Sequence, residues 1–167
     1  MKMRKEKGQI LVILSIAIVA ILSLTALGVD GSMVLNEKRQ DQSTADSAAL
    51  AAAGAASQYL KTTNLLSYSC GSAIAAAAAT TGINEAIATA SEDDITLVAN
   101  DLSQSGVTTT CGVENGRKYL EITVRVATDA DTAFLSMVRS APIHTIAEAT
   151  SRVYVNAAFA GGNAIYT

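Results

Sequence analysis

Residues Ile10 to Val29 read ILVILSIAIVAILSLTALGV, twenty consecutive residues without a charged side chain. An α-helix rises about 1.5 Å per residue, so a helix of this length extends about 30 Å. That distance equals the thickness of the hydrocarbon core of a bilayer. The stretch therefore predicts a transmembrane helix, which we assign to residues 9–30.

The charges on either side of this span predict its direction. Four basic residues and one acidic residue precede it, whereas the first charge after it is Asp30. Because positive flanks stay in the cytoplasm, we expect residues 1–8 to form a cytoplasmic basic head and the chain beyond the span to lie outside. A cleaved secretory signal is the competing interpretation. The apolar run exceeds the roughly 7–15 residues of a signal core, which favours retention.

The composition limits the classes of function. With 167 residues, the chain has room for one small domain and an elongated segment. From Asp30 onward it carries 14 of the 15 acidic and 8 of the 12 basic side chains, a net charge of −6. An acidic ectodomain disfavours nucleic acid and anionic lipid surfaces as its partners. We predict contact with membrane lipid through the span and no nucleic-acid binding.

The polar sequence after the span predicts a stem helix over residues 31–61. It lacks proline and is rich in helix formers from Ala45 onward. Small apolar residues recur there at a spacing of three and four, which puts them on one face that another element must cover. This predicted stripe comprises Ala45, Ala48, Ala49, Ala52, Ala56, Tyr59 and Leu60.

The remaining sequence predicts a small α+β domain over residues 62–160, followed by a loose tail at 161–167. We expect a second helix at about 73–91, in two pieces around Gly82, and a short helix begun by Asp131 and stopped by Pro142. The acids Glu92 to Asp94 belong to a turn. Alternating apolar and polar residues predict three or four strands, mainly antiparallel and packed on the stem helix. The strands are placed at 95–99, 107–113, 118–128 and 146–156.

The two cysteines, Cys70 and Cys111, both follow the span. In an oxidising compartment they would form a disulfide that closes about 40 residues and contributes roughly 3–4 kcal/mol. The alternative is two unpaired thiols, because the sequence does not show that their Cα atoms approach each other.

No catalytic, cofactor or metal site is predicted. The one histidine, His144, has no nucleophile motif to serve as a base, so we expect a structural or exposed role and no enzyme activity. Two distant cysteines do not form a zinc pattern. The acid pairs at 93–94 and 129–131 lack the spaced oxygens and glycine of a calcium loop, and we interpret both as turn residues.

The N-terminal motifs resemble a known family. Gly8 and Gln9 precede the span, Val-Asp follows it, and an Ala-Asp-Ser-Ala-Ala-Leu-Ala-Ala run lies further on, over about the first 57 residues. This pattern is similar to TadE/TadG-like proteins of tight-adherence (Flp) pilus assembly. The residues that carry it after the span are Val29, Asp30, Ala45, Asp46, Ala48, Ala49 and Leu50.

The resemblance implies a pilus-assembly factor or minor pseudopilin that contacts other pilus-assembly or pilin-like membrane proteins through the span and stem, as a homo- or hetero-oligomer. It also implies cleavage after Gly8 by a prepilin peptidase, leaving Gln9 first. Pilins processed in this way carry glutamate at the fifth mature position, where this chain has Ile13. Anchor and filament subunit therefore both stay open, as does a secreted or anchored structural surface protein unrelated to pili.

Overall fold

The structure is a computed structural model that describes residues 7–63, 67–138 and 141–155. Its helices and strands confirm the predicted α+β class. In chain order they are α1 (Lys7–Lys61), α2 (Ala73–Ser91), β1 (Val98–Ala99), β2 (Gly106–Glu114), β3 (Arg117–Ala130), α3 (Leu135–Val138) and β4 (Ile143–Val155).

Contacts divide the chain into two compact units. The first comprises residues 1–38 and 129–145, and the second comprises residues 39–128 and 146–167. The first unit therefore contains the apolar part of α1 and the connection between β3 and β4. The second contains the alanine-rich part of α1, helix α2 and most of the sheet.

The sheet has four strands in the order β1-β2-β3-β4. Strand β1 is parallel to β2, with Val98 opposite Gly106, and β2 is antiparallel to β3. The β2–β3 connection is a two-residue Asn115–Gly116 turn with φ values of 50° and 76°. Positive φ at both central positions is what a type I′ hairpin turn requires, and Asn-Gly supplies it with little strain.

Cross-strand side chains define the pairing of β3 with β4. Tyr119 contacts Tyr154, Glu121 bonds Arg152, and Thr123 Oγ1 lies 3.0 Å from Thr150 Oγ1. Each step of two residues forward on β3 matches a step of two backward on β4, which is the antiparallel arrangement. The sheet is thus mainly antiparallel, as predicted.

The core of the second unit lies between helices and sheet. Alternate residues of β3 point into it, while the residues between them are partly exposed. The predicted stripe on α1 is also buried, except that Tyr59 is only partly covered. The residues of β3 in this core are Leu120, Ile122, Val124 and Val126.

Gly82 shows how closely α1 and α2 approach. A Cβ atom there would lie 2.8 Å from Ile122 Cδ1 and 3.1 Å from the Ala52 carbonyl oxygen. The glycine therefore permits the helix contact and does not divide α2, which is continuous from Ala73 to Ser91. The prediction of two helical pieces was wrong, because a buried glycine at a helix crossing costs less than the clash it avoids.

Strand β1 and helix α3 are shorter than predicted. Strand β1 is two residues long, not five. Helix α3 begins at Leu135, later than the predicted start at Asp131. The turn at Glu92 to Asp94 is confirmed, because these three amides donate to the carbonyl oxygens of the last turn of α2. The predicted tail lies outside the described residues.

Candidate functional site

The apolar part of α1 is not covered by any other segment that the structure describes. From Ile10 to Val29 every side chain is exposed except that of Ala26, which is partly covered. Among the described residues this is the one helix long and apolar enough to cross a membrane. By length and composition it is a candidate membrane span.

The hydroxyl groups in this segment bond within their own helix. Ser15 donates to the Val12 carbonyl oxygen, and Ser23 and Thr25 donate to carbonyl oxygens one turn earlier, at 2.8–2.9 Å. A hydroxyl satisfied in this way enters an apolar medium at little cost. These side chains therefore do not require a second helix to supply their hydrogen bonds.

Asp30 holds the start of helix α3. Its carboxylate oxygens accept hydrogen bonds from the backbone N–H groups of Ala133, Phe134 and Leu135, at 2.5–3.2 Å. Asp30 is 5% exposed, so the cluster is largely closed to solvent. A carboxylate at the unsatisfied amides of a helix start acts as a cap, here supplied from another helix and not from the predicted Asp131.

The family-like residues of the stem have two different roles. Ala45, Ala48 and Ala49 are buried in the core of the second unit. Asp46 is exposed and accepts a hydrogen bond from Gln42 at 3.0 Å, and Leu50 is 72% exposed. The three alanines therefore contribute to the packing of this chain's own core. Leu50, by contrast, is an exposed apolar residue of the motif that a partner can contact.

Two polar residues on the buried face of the stem were not predicted. Asp41, 1% exposed, accepts hydrogen bonds from the Thr128 hydroxyl at 2.8 and 2.9 Å. One turn later the Thr44 hydroxyl donates to the Asp93 carboxylate at 2.5 Å. Both positions continue the helical spacing of Ala45 and Ala48, so the spacing alone could have indicated their burial. They were not predicted to be buried because Asp and Thr are polar.

The predicted disulfide between Cys70 and Cys111 is confirmed. The two Cα atoms lie 5.5 Å apart and the residues are 41 apart in sequence. Tyr68 lies beside the bridge, 1% exposed, with its hydroxyl 3.5 Å from the Cys111 sulfur. The Tyr68 carbonyl oxygen accepts a hydrogen bond from Lys118 Nζ at 2.5 Å. The loop before α2 is thus attached to the sheet both covalently and by packing.

The outer face of the sheet carries a polar and aromatic cluster. Arg152 bonds Glu121 and lies 3.6 Å from a Glu114 oxygen, and its guanidinium stacks over the Tyr119 ring at 4.8 Å. Its hydrogen bond to Glu121 raises the pKa of Arg152. The Tyr154 hydroxyl donates to Glu114 at 2.6 Å. The alternation of apolar and polar residues in the sequence predicts that these side chains share one face of their strands. Their contacts with one another depend on the pairing of β3 with β4, which the sequence did not specify.

His144 and Asp129 form an exposed pair across the start of β4 and the end of β3. Asp129 therefore belongs to a strand, and its predicted place in a turn was wrong, because β3 extends to Ala130. No group of three or more metal-ligating side chains occurs in the described ranges 7–63, 67–138 and 141–155.

The N-terminal part of the chain, with its uncovered apolar helix followed by a buried alanine face, matches a known family. Residues 8–56 match the family described as putative Flp pilus-assembly TadE/G-like. The predicted TadE/TadG-like resemblance is thereby confirmed for this region, 49 of the 167 residues. The match supports a pilus-assembly-related envelope protein. The matched family is one of assembly proteins and is not known as enzymatic.

No curated protein and no solved structure matches this chain. The TadE/G-like match ends within the stem, before the disulfide, α2 and the sheet. The similarity to this family thus rests on the candidate span and most of the stem.

Proposed function

We propose that this chain is an anchored component of tight-adherence pilus assembly, acting as an assembly factor or minor pseudopilin. The observation that carries the proposal is the match over residues 8–56, which includes the apolar segment and the buried alanines of the stem. Residues 1–8 lie in the cytoplasm, the apolar helix crosses the cytoplasmic membrane, and the domain lies outside. Its task is to bind other assembly proteins and not to catalyse a reaction.

The disulfide supports the external position of the domain. Such bonds persist in oxidising compartments and are rare in the cytosol. The Cys70–Cys111 bridge is near the preferred Cα separation of about 5.5–6 Å. The four basic residues before the span favour the same orientation.

Two surfaces are available to assembly partners. The first is the span, whose large apolar side chains are exposed among the described residues. The second is the exposed face of the stem around Leu50. The buried alanines are unsuitable, because they already pack against the core of their own domain.

The first experiment determines which form of the protein assembles. Intact mass and N-terminal sequence are measured on protein recovered separately from the membrane fraction and from sheared surface material. We expect a membrane-bound chain that retains its span and is uncut at Gly8, because Ile13 replaces the glutamate of processed pilins.

A chain that starts at Gln9 in sheared filaments would instead identify a processed filament subunit. A Gly8→Leu variant would then lose that product, whereas Gly28→Leu would keep it. A mature chain that starts near Val29 would contradict the anchored protein and favour a secreted structural protein.

A second experiment tests the stem surface. Leu50→Asp should reduce piliation of the cells without changing the unfolding of the purified protein. Val113→Asp is the matched control, because Val113 is 63% exposed and lies on β2. Equal piliation in both variants would exclude Leu50 as a contact residue.

A further inference from the structure

The connection between β3 and β4 exposes two large apolar side chains. Phe134 is 46% exposed and Met137 is 82% exposed. Single exposed apolar residues are common on protein surfaces. These two are separated by one helical turn and lie within an uncharged run, TAFLSMV, between Asp131 and Arg139. The two side chains therefore form a local apolar patch, and exposed apolar patches are typical of interaction sites.

Asp30 fixes this run at the end of the apolar helix. The Phe134 amide nitrogen lies 3.0 Å from one Asp30 carboxylate oxygen and 3.2 Å from the other. Asp30 immediately follows the last residue of the uncharged segment. The backbone of the run therefore lies at the depth where the span ends.

Residues of α1 on both sides of Asp30 are also partly buried. Ala26 lies one turn earlier on the same helix face, and it is the residue of the segment from 10 to 29 that is partly covered. Val34 and Glu37, one and two turns later on this face, are also partly covered. The partly covered face of α1 thus continues across the end of the apolar segment.

The backbone of the run is prepared for an apolar environment. The amides of Ala133, Phe134 and Leu135 donate to Asp30, and the Met137 amide donates to the Phe134 carbonyl oxygen at 3.1 Å. Unsatisfied amide groups are costly wherever water is scarce. These amides have acceptors before any lipid is present.

Charged groups flank the run and do not interrupt it. Asp131 is exposed, and so are both members of the Asp129–His144 pair. An apolar centre with a polar margin is typical of segments that lie in the membrane interface, buried about 5–10 Å into the boundary between head groups and acyl chains.

We propose that residues 133–137 form a second membrane contact, in which Phe134 and Met137 enter the lipid interface beside the point where α1 leaves the bilayer. The partner is the lipid surface itself. This inference rests on the proposed membrane anchoring. Asp30 acts as a positioning residue, because its carboxylate holds the backbone that carries both side chains.

The chain contains no tryptophan, so a single introduced tryptophan reports one position. The full chain is reconstituted into phosphatidylcholine vesicles whose acyl chains carry bromine either near the head group or near the chain end. Fluorescence quenching is compared among Phe134→Trp, Val19→Trp in the middle of the apolar segment, and Leu50→Trp on the stem. Val19 and Leu50 are 63% and 72% exposed in the chain.

We expect shallow bromine to quench Phe134→Trp more strongly than deep bromine, and the reverse order for Val19→Trp. Leu50→Trp should be quenched by neither. Quenching of Val19→Trp with none for Phe134→Trp would overturn the second contact and leave the span intact. Lack of quenching for Val19→Trp would overturn both the anchoring and this inference.

The role of Asp30 is tested by adding Asp30→Ala to the Phe134→Trp and Val19→Trp variants. The expected result is loss of shallow quenching at position 134 with unchanged deep quenching at position 19. An intact disulfide by mass and an unchanged near-ultraviolet spectrum of the tyrosines verify the fold. Shallow quenching that survives Asp30→Ala would overturn the positioning role of Asp30.

Discussion

The two halves of helix α1 reverse the usual relation between hydrophobicity and burial. Between Ile10 and Val29 the large apolar side chains are 40–71% exposed, whereas Ala45, Ala48 and Ala52 are completely buried. The larger side chains would gain more from leaving water, but no element of the described chain covers them. The alanines gain less individually, but they let a second helix and a sheet approach closely. One continuous helix thus serves two different surroundings.

This contrast predicts different responses to the same chemical change. Introduced charge should unfold the domain when placed in the second half and should impair membrane insertion when placed in the first. A larger side chain should lower the stability of the domain only where alanines and Gly82 allow close contact between its elements.

The largest effect is expected from charge in the buried stripe. Ala48→Asp would place a carboxylate in the core without a partner, and an uncompensated buried charge costs about 3–5 kcal/mol. A urea titration of the full chain in mild detergent, followed by near-ultraviolet circular dichroism of the five tyrosines, measures the loss. Leu50→Asp is the exposed control. Equal midpoints for the two variants would contradict the buried role of Ala48.

Charge in the apolar half should alter insertion and leave the domain stable. Val19→Asp places a carboxylate at the centre of the predicted span, where insertion becomes less favourable by about 2.5–3.5 kcal/mol. The fraction of chain that resists alkaline extraction from membranes should fall, while the urea midpoint of the domain stays unchanged. A lower midpoint with normal extraction resistance would mean that this half is packed against protein.

A smaller effect should follow from one methyl group. Gly82→Ala adds a Cβ close to Ile122 and to the Ala52 carbonyl oxygen. Overpacking exceeds the gain in helix propensity, so we expect a net loss of about 1 kcal/mol. Gly54→Ala, on the exposed face with nothing within 4 Å, should instead gain about 0.5–1 kcal/mol. Urea titration distinguishes the opposite signs, and a gain for both variants would contradict the close helix contact.

The smallest effect is expected where the two halves meet, at Asp30. Asp30→Ala removes the carboxylate that accepts hydrogen bonds from the amides of Ala133, Phe134 and Leu135. After correction for intrinsic rates, hydrogen exchange of residues 133–135 should therefore be faster in the variant than in the unaltered chain. Peptides from β3 serve as the control. Equal exchange at residues 133–135 in the two chains would exclude Asp30 as the acceptor.

Much of this architecture could be predicted because it depends on local patterns. The uncharged run from Ile10 to Val29 and the spacing of the stem alanines follow directly from helical periodicity. The period of two in β3 placed Leu120 and Ile122 in the core. The bounds of α2 were predicted for the same reason, since its ends are marked by local signals.

The remaining features depend on contacts between distant residues. Asp30 and Phe134 are 104 residues apart, and Asp41 and Thr128 are 87 apart. No local pattern specifies which distant amide or hydroxyl an acidic side chain will bond. Gly82 illustrates the same limit, because an isolated glycine in an alanine run predicts a break until the neighbouring helix is known.

The Cys70–Cys111 bridge also determines what a proteolytic cut does to the molecule. A nick at any bond between these two residues, including those in the connections around β1, leaves both fragments in one covalent molecule. The chain would keep its full mass in a non-reducing gel and separate only after reduction. A nick at residues 131–138 lies outside the bridged loop, so β4 would then be held by hydrogen bonds and packing alone. The two connections therefore differ in their tolerance of envelope proteases, although both are at the surface.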